Sequence, residues 1–95
     1  MTDLKQLRAQ LKDSLNRETT AHILSFIGYR VNRDYKFKLR EDENTASASI
    51  RNDGYIRDFG SDWGGDIVAL LHEHRGLSLV EATHYVADCL GVSYE

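Results

Sequence analysis

Residues 35–59 read YKFKLREDENTASASIRNDGYIRDF, and this stretch decides the fold. Tyr35, Phe37 and Leu39 alternate with Lys36, Lys38 and Arg40. That period of two places successive side chains on opposite faces of a strand, so the segment predicts a half-buried strand with one basic face. Asp42 to Asn44 is a polar connection, and Ala46, Ala48 and Ile50 then alternate with Ser47, Ser49 and Arg51. Asp53-Gly54 is a two-residue hairpin signal, followed by a return strand from Tyr55 to Phe59. Pairing across that turn places Ala48, Ile50, Tyr55, Arg57 and Phe59 on one face. Ser47, Ser49, Arg51, Ile56 and Asp58 fall on the other.

Helices flank this segment on both sides. Leu4, Leu7, Leu11 and Leu15 recur at helical spacing, which predicts an amphipathic helix over residues 3–15. Asn16 caps a second helix over 17–27 that stops at Gly28, with Ile23, Leu24 and Ile27 inward and His22 outward. Beyond the strands, Gly60 to Gly65 reads as a tight loop, and Asp66 opens a helix that ends at Gly76. Ser78 and Glu81 form a capping box for a last helix that ends at Gly91. Val80, Ala87 and Leu90 supply its core stripe, with Cys89 beside it. The expected fold is α+β, a single domain over 1–95. A small three-stranded antiparallel sheet lies between two N-terminal and two C-terminal helices.

Composition narrows the function. The chain has 95 residues and a net charge of −3, and 28% of its residues are charged. Residues 1–57 hold eleven Lys and Arg against eight Asp and Glu, a local net charge of +3. Residues 58–95 hold seven Asp and Glu and a single cation, Arg75. An acidic total argues against indiscriminate nucleic-acid binding, whereas a basic half permits a localised patch. No apolar run is long enough for a membrane span, and Met1 to Gln10 has no apolar signal-peptide core. Cys89 is the only cysteine, so an internal disulfide and a Cys-rich zinc site are both excluded. A cytoplasmic location is expected.

Several constellations have ordinary structural explanations. Asp58, Asp62 and Asp66 resemble a carboxylate cluster for a hard cation, but calcium-loop spacing is absent and Asp66 suits a helix start. The four histidines do not share a ligand spacing, and Ser61, Ser78 and Cys89 lack a neighbouring base signature. A sharp entry into a helix explains Gly64-Gly65-Asp66 better than a phosphate cradle does, because Asp66 would repel a phosphate. The basic strand face is the strongest functional signal. Lys36, Lys38, Arg40, Arg51 and Arg57 interleave with Tyr35, Phe37, Tyr55, Phe59 and Trp63. Cations for phosphates and aromatics for bases are the chemistry of single-strand binding. A solvated strand face with core aromatics fits the same residues.

From about Ile23 to Val92, roughly three quarters of the chain, the sequence resembles the zinc-binding domain of bacterial and phage DNA primases. Asp42-Glu43-Asn44-Thr45-Ala46-Ser47-Ala48-Ser49-Ile50 is similar to that family's D-E-K-T-P-S-F-S-V segment. Asp58-Phe59-Gly60-Ser61 stands where C-F-G-C belongs, and Gly64-Gly65-Asp66-Ile67 matches its small-G-D helix start. Arg75-Gly76-Leu77-Ser78-Leu79-Val80-Glu81-Ala82 is similar to the late E-G-L-S-F-V-E-A motif. On this alignment residues 1–22 are a helical extension and 23–92 the family-like core.

The zinc-ligand positions are occupied by Lys38, Glu41, Asp58 and Ser61. Spacing survives and ligand chemistry does not, so a zinc-ribbon-like fold without zinc is expected, with no cofactor. An ion pair of Lys38 with Glu41 or Asp58 is the expected substitute. The resemblance implies a non-catalytic, replication-accessory module that contacts single-stranded DNA, at home in phages or other mobile elements. The candidate contacts are Lys36, Lys38, Arg40, Arg51, Tyr55 and Arg57, and a replication protein is a possible partner. The alternative is a protein-interaction module that has lost metal and DNA contact and docks through its acidic C-terminal half.

Overall fold

The structure is a computed structural model that describes residues 3–39 and 47–92. The elements run α1 (Leu4–Ser14), α2 (Arg17–Phe26), β1 (Lys36–Phe37), β2 (Ala48–Ile50), β3 (Ile56–Asp58), β4 (Trp63–Gly65), α3 (Ile67–His74) and α4 (Leu79–Leu90). The strands form one antiparallel meander in the order β1-β2-β3-β4. The α+β class is as expected. Arg40 and Glu41 lie outside the described residues.

Local chemistry sets the helix ends. Asn16 accepts from the Thr19 N–H at 2.9 Å while Thr19 Oγ1 accepts from the Asn16 N–H, so α2 begins on a closed reciprocal cap. Asp66 accepts from the Ala69 N–H at 2.8 Å, which fixes its role as the cap of α3. Ser78 and Glu81 form the expected capping box of α4, and Gly91 ends that helix at φ 72°.

Helix α4 packs against α1 and α3, and α2 bridges α3, α4 and β2. Leu7 and Leu11 of α1, Ile23 and Leu24 of α2, and Leu70 and Leu71 of α3 are buried. Phe37, Ala48, Ile50 and Ile56 cover them from the sheet. Burying a side chain of this kind contributes about 1.5–3 kcal/mol, so one core spans helices and sheet.

The structure corrects the sequence reading in three places. The sheet has four strands rather than three, because Trp63–Gly65 pairs with β3 where a loop was expected. Glycine has poor strand propensity, so Trp63–Gly65 reads as a loop from the sequence alone. The hairpin after β2 is also one residue longer than a two-residue turn. The Arg51 N–H donates to the Tyr55 carbonyl at 2.8 Å, leaving Asn52-Asp53-Gly54 as the loop, with Gly54 at φ 88°. A Cβ on Gly54 would lie 2.7 Å from Thr20 Oγ1, so both the backbone and the space require glycine. This extra residue shifts the register by one and exchanges the faces of the return strand. Ile56 and Asp58 join Ala48 and Ile50 on the buried side, and Arg57 joins Ser49 on the solvent side. Finally, Val80 is 48% exposed and is not a core residue; Ala82, Val86 and Ala87 hold that position in α4.

Candidate nucleic-acid interface

Lys36 pairs with Ser49, Ser49 with Arg57, and Arg57 with Gly64. Directly opposed residues of antiparallel strands share a face. The four positions therefore form a row across the solvent side of the sheet. The opposite side carries Phe37, Ala48 and Asp58, all buried.

Glycine at position 64 has a specific role in this row. A Cβ there would collide with the Tyr55 phenol, so the ring of Tyr55 reaches across β4 over the bare glycine backbone. Tyr55 is 38% exposed and carries the Arg51 guanidinium 5.5 Å from its ring centroid. Phe59 is 68% exposed and carries the Arg57 guanidinium at 5.7 Å. Two cation–aromatic pairs thus border the row. Arg57 also lies 3.9 Å from Asp62, an exposed pair of little energetic weight. The remaining aromatics have other uses. Phe37 is core and meets Tyr29 edge-on at 5.4 Å. Tyr35 lies under Arg17 at 5.0 Å, and the Trp63 indole N–H donates to Glu73 at 3.2 Å. Sequence periodicity alone could not separate these two groups.

Lys38 follows the end of β1 and does not belong to the row. It lines a cleft of about 540 Å³ together with Tyr29, Arg30, Asn32, Lys36, His74 and Arg75, among others. The Asn32 side chain accepts from the backbone N–H groups of Asp34 and Lys36 at 2.9 and 3.0 Å. This turn, with Tyr35 at φ 57°, sets the entry into β1 and the position of Lys36. Arg75 lies over the Tyr29 ring at 5.5 Å, and its Nη2 is 3.5 Å from the Ile27 carbonyl oxygen. The sole cation of the acidic half is thereby returned to the basic half. The sequence reading did not single out Tyr29, Arg30 or Arg75 as site residues. The charge count was a usable signal for Arg75, since it left that residue isolated.

No family model matches the chain, and neither a curated protein nor a solved structure is detectably similar to it.

Of the four positions that the resemblance sets against zinc ligands, Glu41 lies outside the described residues, and the chemistry of Asp58 and Lys38 does not suit that metal. Asp58 is fully buried, and its oxygens are engaged by protein donors. Ser47 Oγ–H and the Gly60 N–H donate to Oδ1 at 2.6 and 3.2 Å, and Ser61 Oγ–H donates to Oδ2 at 2.5 Å. Lys38 is an exposed cation on the cleft wall, and a lysine ammonium has no lone pair to offer. Asp58 makes no ion pair with Lys38 and organises the β3–β4 turn through these hydrogen bonds, while the alternative pair of Lys38 with Glu41 lies outside the described residues. No group of three or more His, Cys, Asp and Glu among the described residues is placed to hold a metal ion. No helix among the described residues is long and apolar enough to cross a membrane.

Proposed function

We propose that the chain is a non-catalytic binding module for single-stranded nucleic acid, with the open face of the sheet as its contact surface. The observation that carries this reading is the alignment of Lys36, Ser49 and Arg57 on one solvent face, bordered by exposed Tyr55 and Phe59. Cations would neutralise backbone phosphates, and the two exposed rings would stack on bases. Arg51 and Arg57 serve both purposes, because a guanidinium over an aromatic ring presents a flat, charged surface. The primase-like order of motifs supports single-stranded DNA as the natural form and replication as the setting. Amide NMR spectra recorded during titration with single-stranded DNA test the surface. Shifts centred on Lys36, Ser49, Tyr55, Arg57, Phe59 and Gly64 support it, and shifts centred on α1 and α4 contradict it.

One observation favours a protein partner as a second reading. Phe26 is 74% exposed beside Ile23, Tyr85 and Cys89, in a groove formed by α2 and α4. Loss of a partner on Phe26→Asp, with oligonucleotide binding retained, would identify that groove as a docking surface.

A further inference from the structure

The cleft beside β1 has a composition that the fold alone does not require. Arg30, Lys36, Lys38 and Arg75 are all exposed and all line it, and no described lining residue is a carboxylate. Four like charges around one cleft repel each other, a cost that a bound polyanion would offset. Arg75 is held in place over Tyr29 and beside the Ile27 carbonyl, which reduces the entropy lost when it meets a ligand. The volume of about 540 Å³ falls within the roughly 300–1,000 Å³ usual for ligand clefts. Lys36 belongs both to this cleft and to the row across the sheet.

We propose that this cleft is a phosphate-binding site in which Arg30, Lys38 and Arg75 take the backbone of a single strand after it crosses the sheet and passes Lys36. The inference rests on the sheet-face reading and extends it by a second contact region at the β1 edge. Its cations are solvent-exposed and continuous with an open surface, which suits a chain of phosphates better than one enclosed anion. The cleft also has an internal reporter. His74 lines it and meets the Trp63 indole edge-on at 4.7 Å, so filling the cleft alters Trp63 emission.

The test compares the wild-type chain with the Arg30→Ala/Lys38→Ala double variant. Both substituted residues are exposed, and thermal melts check that the fold is retained. The probes are labelled oligothymidylates of about 4 and about 12 nucleotides, lengths that bracket the site sizes of small single-strand binders. The variant is expected to bind the longer probe roughly tenfold more weakly and to lose about 1.4 from the log–log salt slope. The shorter probe, which the sheet alone accommodates, is expected to bind equally to both proteins. The Trp63 response to the longer probe should disappear in the variant. Equal affinity of both proteins for the longer probe overturns the cleft and leaves the sheet reading intact. Equal weakening at both lengths overturns it too, because it indicates a general field rather than a second site. Failure of the wild type to bind either probe removes both readings. If inorganic phosphate alone then shifts the amides of Arg30, Lys38 and Arg75, the cleft takes a free phosphate and not a strand.

Discussion

Lys36 and Arg57 flank Ser49 from opposite sides of β2, so two cations stand two strands apart on one solvent face. Neighbouring strands are about 4.8 Å apart, which separates the two backbones by roughly 10 Å. That span suits successive phosphates of an extended strand lying across the sheet. The relationship depends on the hairpin register. With a two-residue turn, Arg57 would face the core and buried Ile56 would face solvent.

The cations should therefore act additively on salt dependence. Arg51→Ala with Arg57→Ala is expected to lower the salt slope of oligonucleotide binding by about 1.4, near 0.7 for each lost phosphate contact. Stability should barely change, because the Arg57–Asp62 pair is exposed and such pairs contribute about 0–1 kcal/mol. Fluorescence anisotropy at several salt concentrations measures the first effect and a thermal melt the second.

Phe59 and Phe37 should behave in opposite ways. Phe59 is 68% exposed, so Phe59→Ala is expected to leave folding intact and to remove about 1–3 kcal/mol of binding through lost base stacking. Phe37 is fully buried, so Phe37→Ala should cost about 3–5 kcal/mol of stability. Urea denaturation and oligonucleotide titration on both variants separate the two roles.

Asp58 should matter for folding without any metal. Asp58→Ala removes the acceptor of the Ser61 hydroxyl and the Gly60 N–H and one partner of the Ser47 hydroxyl, at a cost of about 1–3 kcal/mol. Asp58→Asn keeps the shape and some acceptor capacity, so it should cost less. Chelator should leave the wild-type urea midpoint unchanged. A midpoint that falls on chelation would show that a metal shares in holding this turn.

The cap of α4 gives an acid dependence with a definite sign. Hydrogen bonds from the Ser78 backbone and side chain lower the Glu81 pKa below the ordinary value for glutamate. A depressed folded-state pKa stabilises above the unfolded value, and that stability is lost as pH falls through the folded value. Glu81→Gln, which removes the titrating carboxylate, is therefore expected to weaken the protein above the ordinary glutamate range. The difference from wild type should shrink as pH drops below it. Parallel urea titrations at several pH values provide the check.

Features set by neighbouring residues were legible in the sequence. Asn16 with Thr19, Asp66 with Ala69, and Ser78 with Glu81 each act within a few residues, so pattern alone placed the helix starts. The sheet was legible in kind and not in register. Asp53-Gly54 is compatible with two loop lengths, and the contact of Gly54 with Thr20, a residue of α2, is invisible to a hairpin rule. The strand Trp63–Gly65 was hidden because its glycines serve close approaches, Gly64 to Tyr55 and Gly65 to Ala69. The β1 end of the candidate site followed from alternation, which exposed Lys36 and buried Phe37 as expected. The cleft did not, since Arg75 meets Tyr29 and Ile27 only after the chain has folded back across the intervening sheet.

The central claim is that a basic, aromatic-bordered sheet face binds a single strand, and one titration tests it most directly. A labelled single-stranded oligonucleotide is titrated with the full chain at low salt and then at rising salt, with fluorescence anisotropy as the readout. Saturable binding that weakens steeply as salt rises, with a slope reduced by Arg51→Ala/Arg57→Ala, is the expected result. Absence of saturable binding at low salt, or a wild-type slope that the double variant leaves unchanged, would contradict the account.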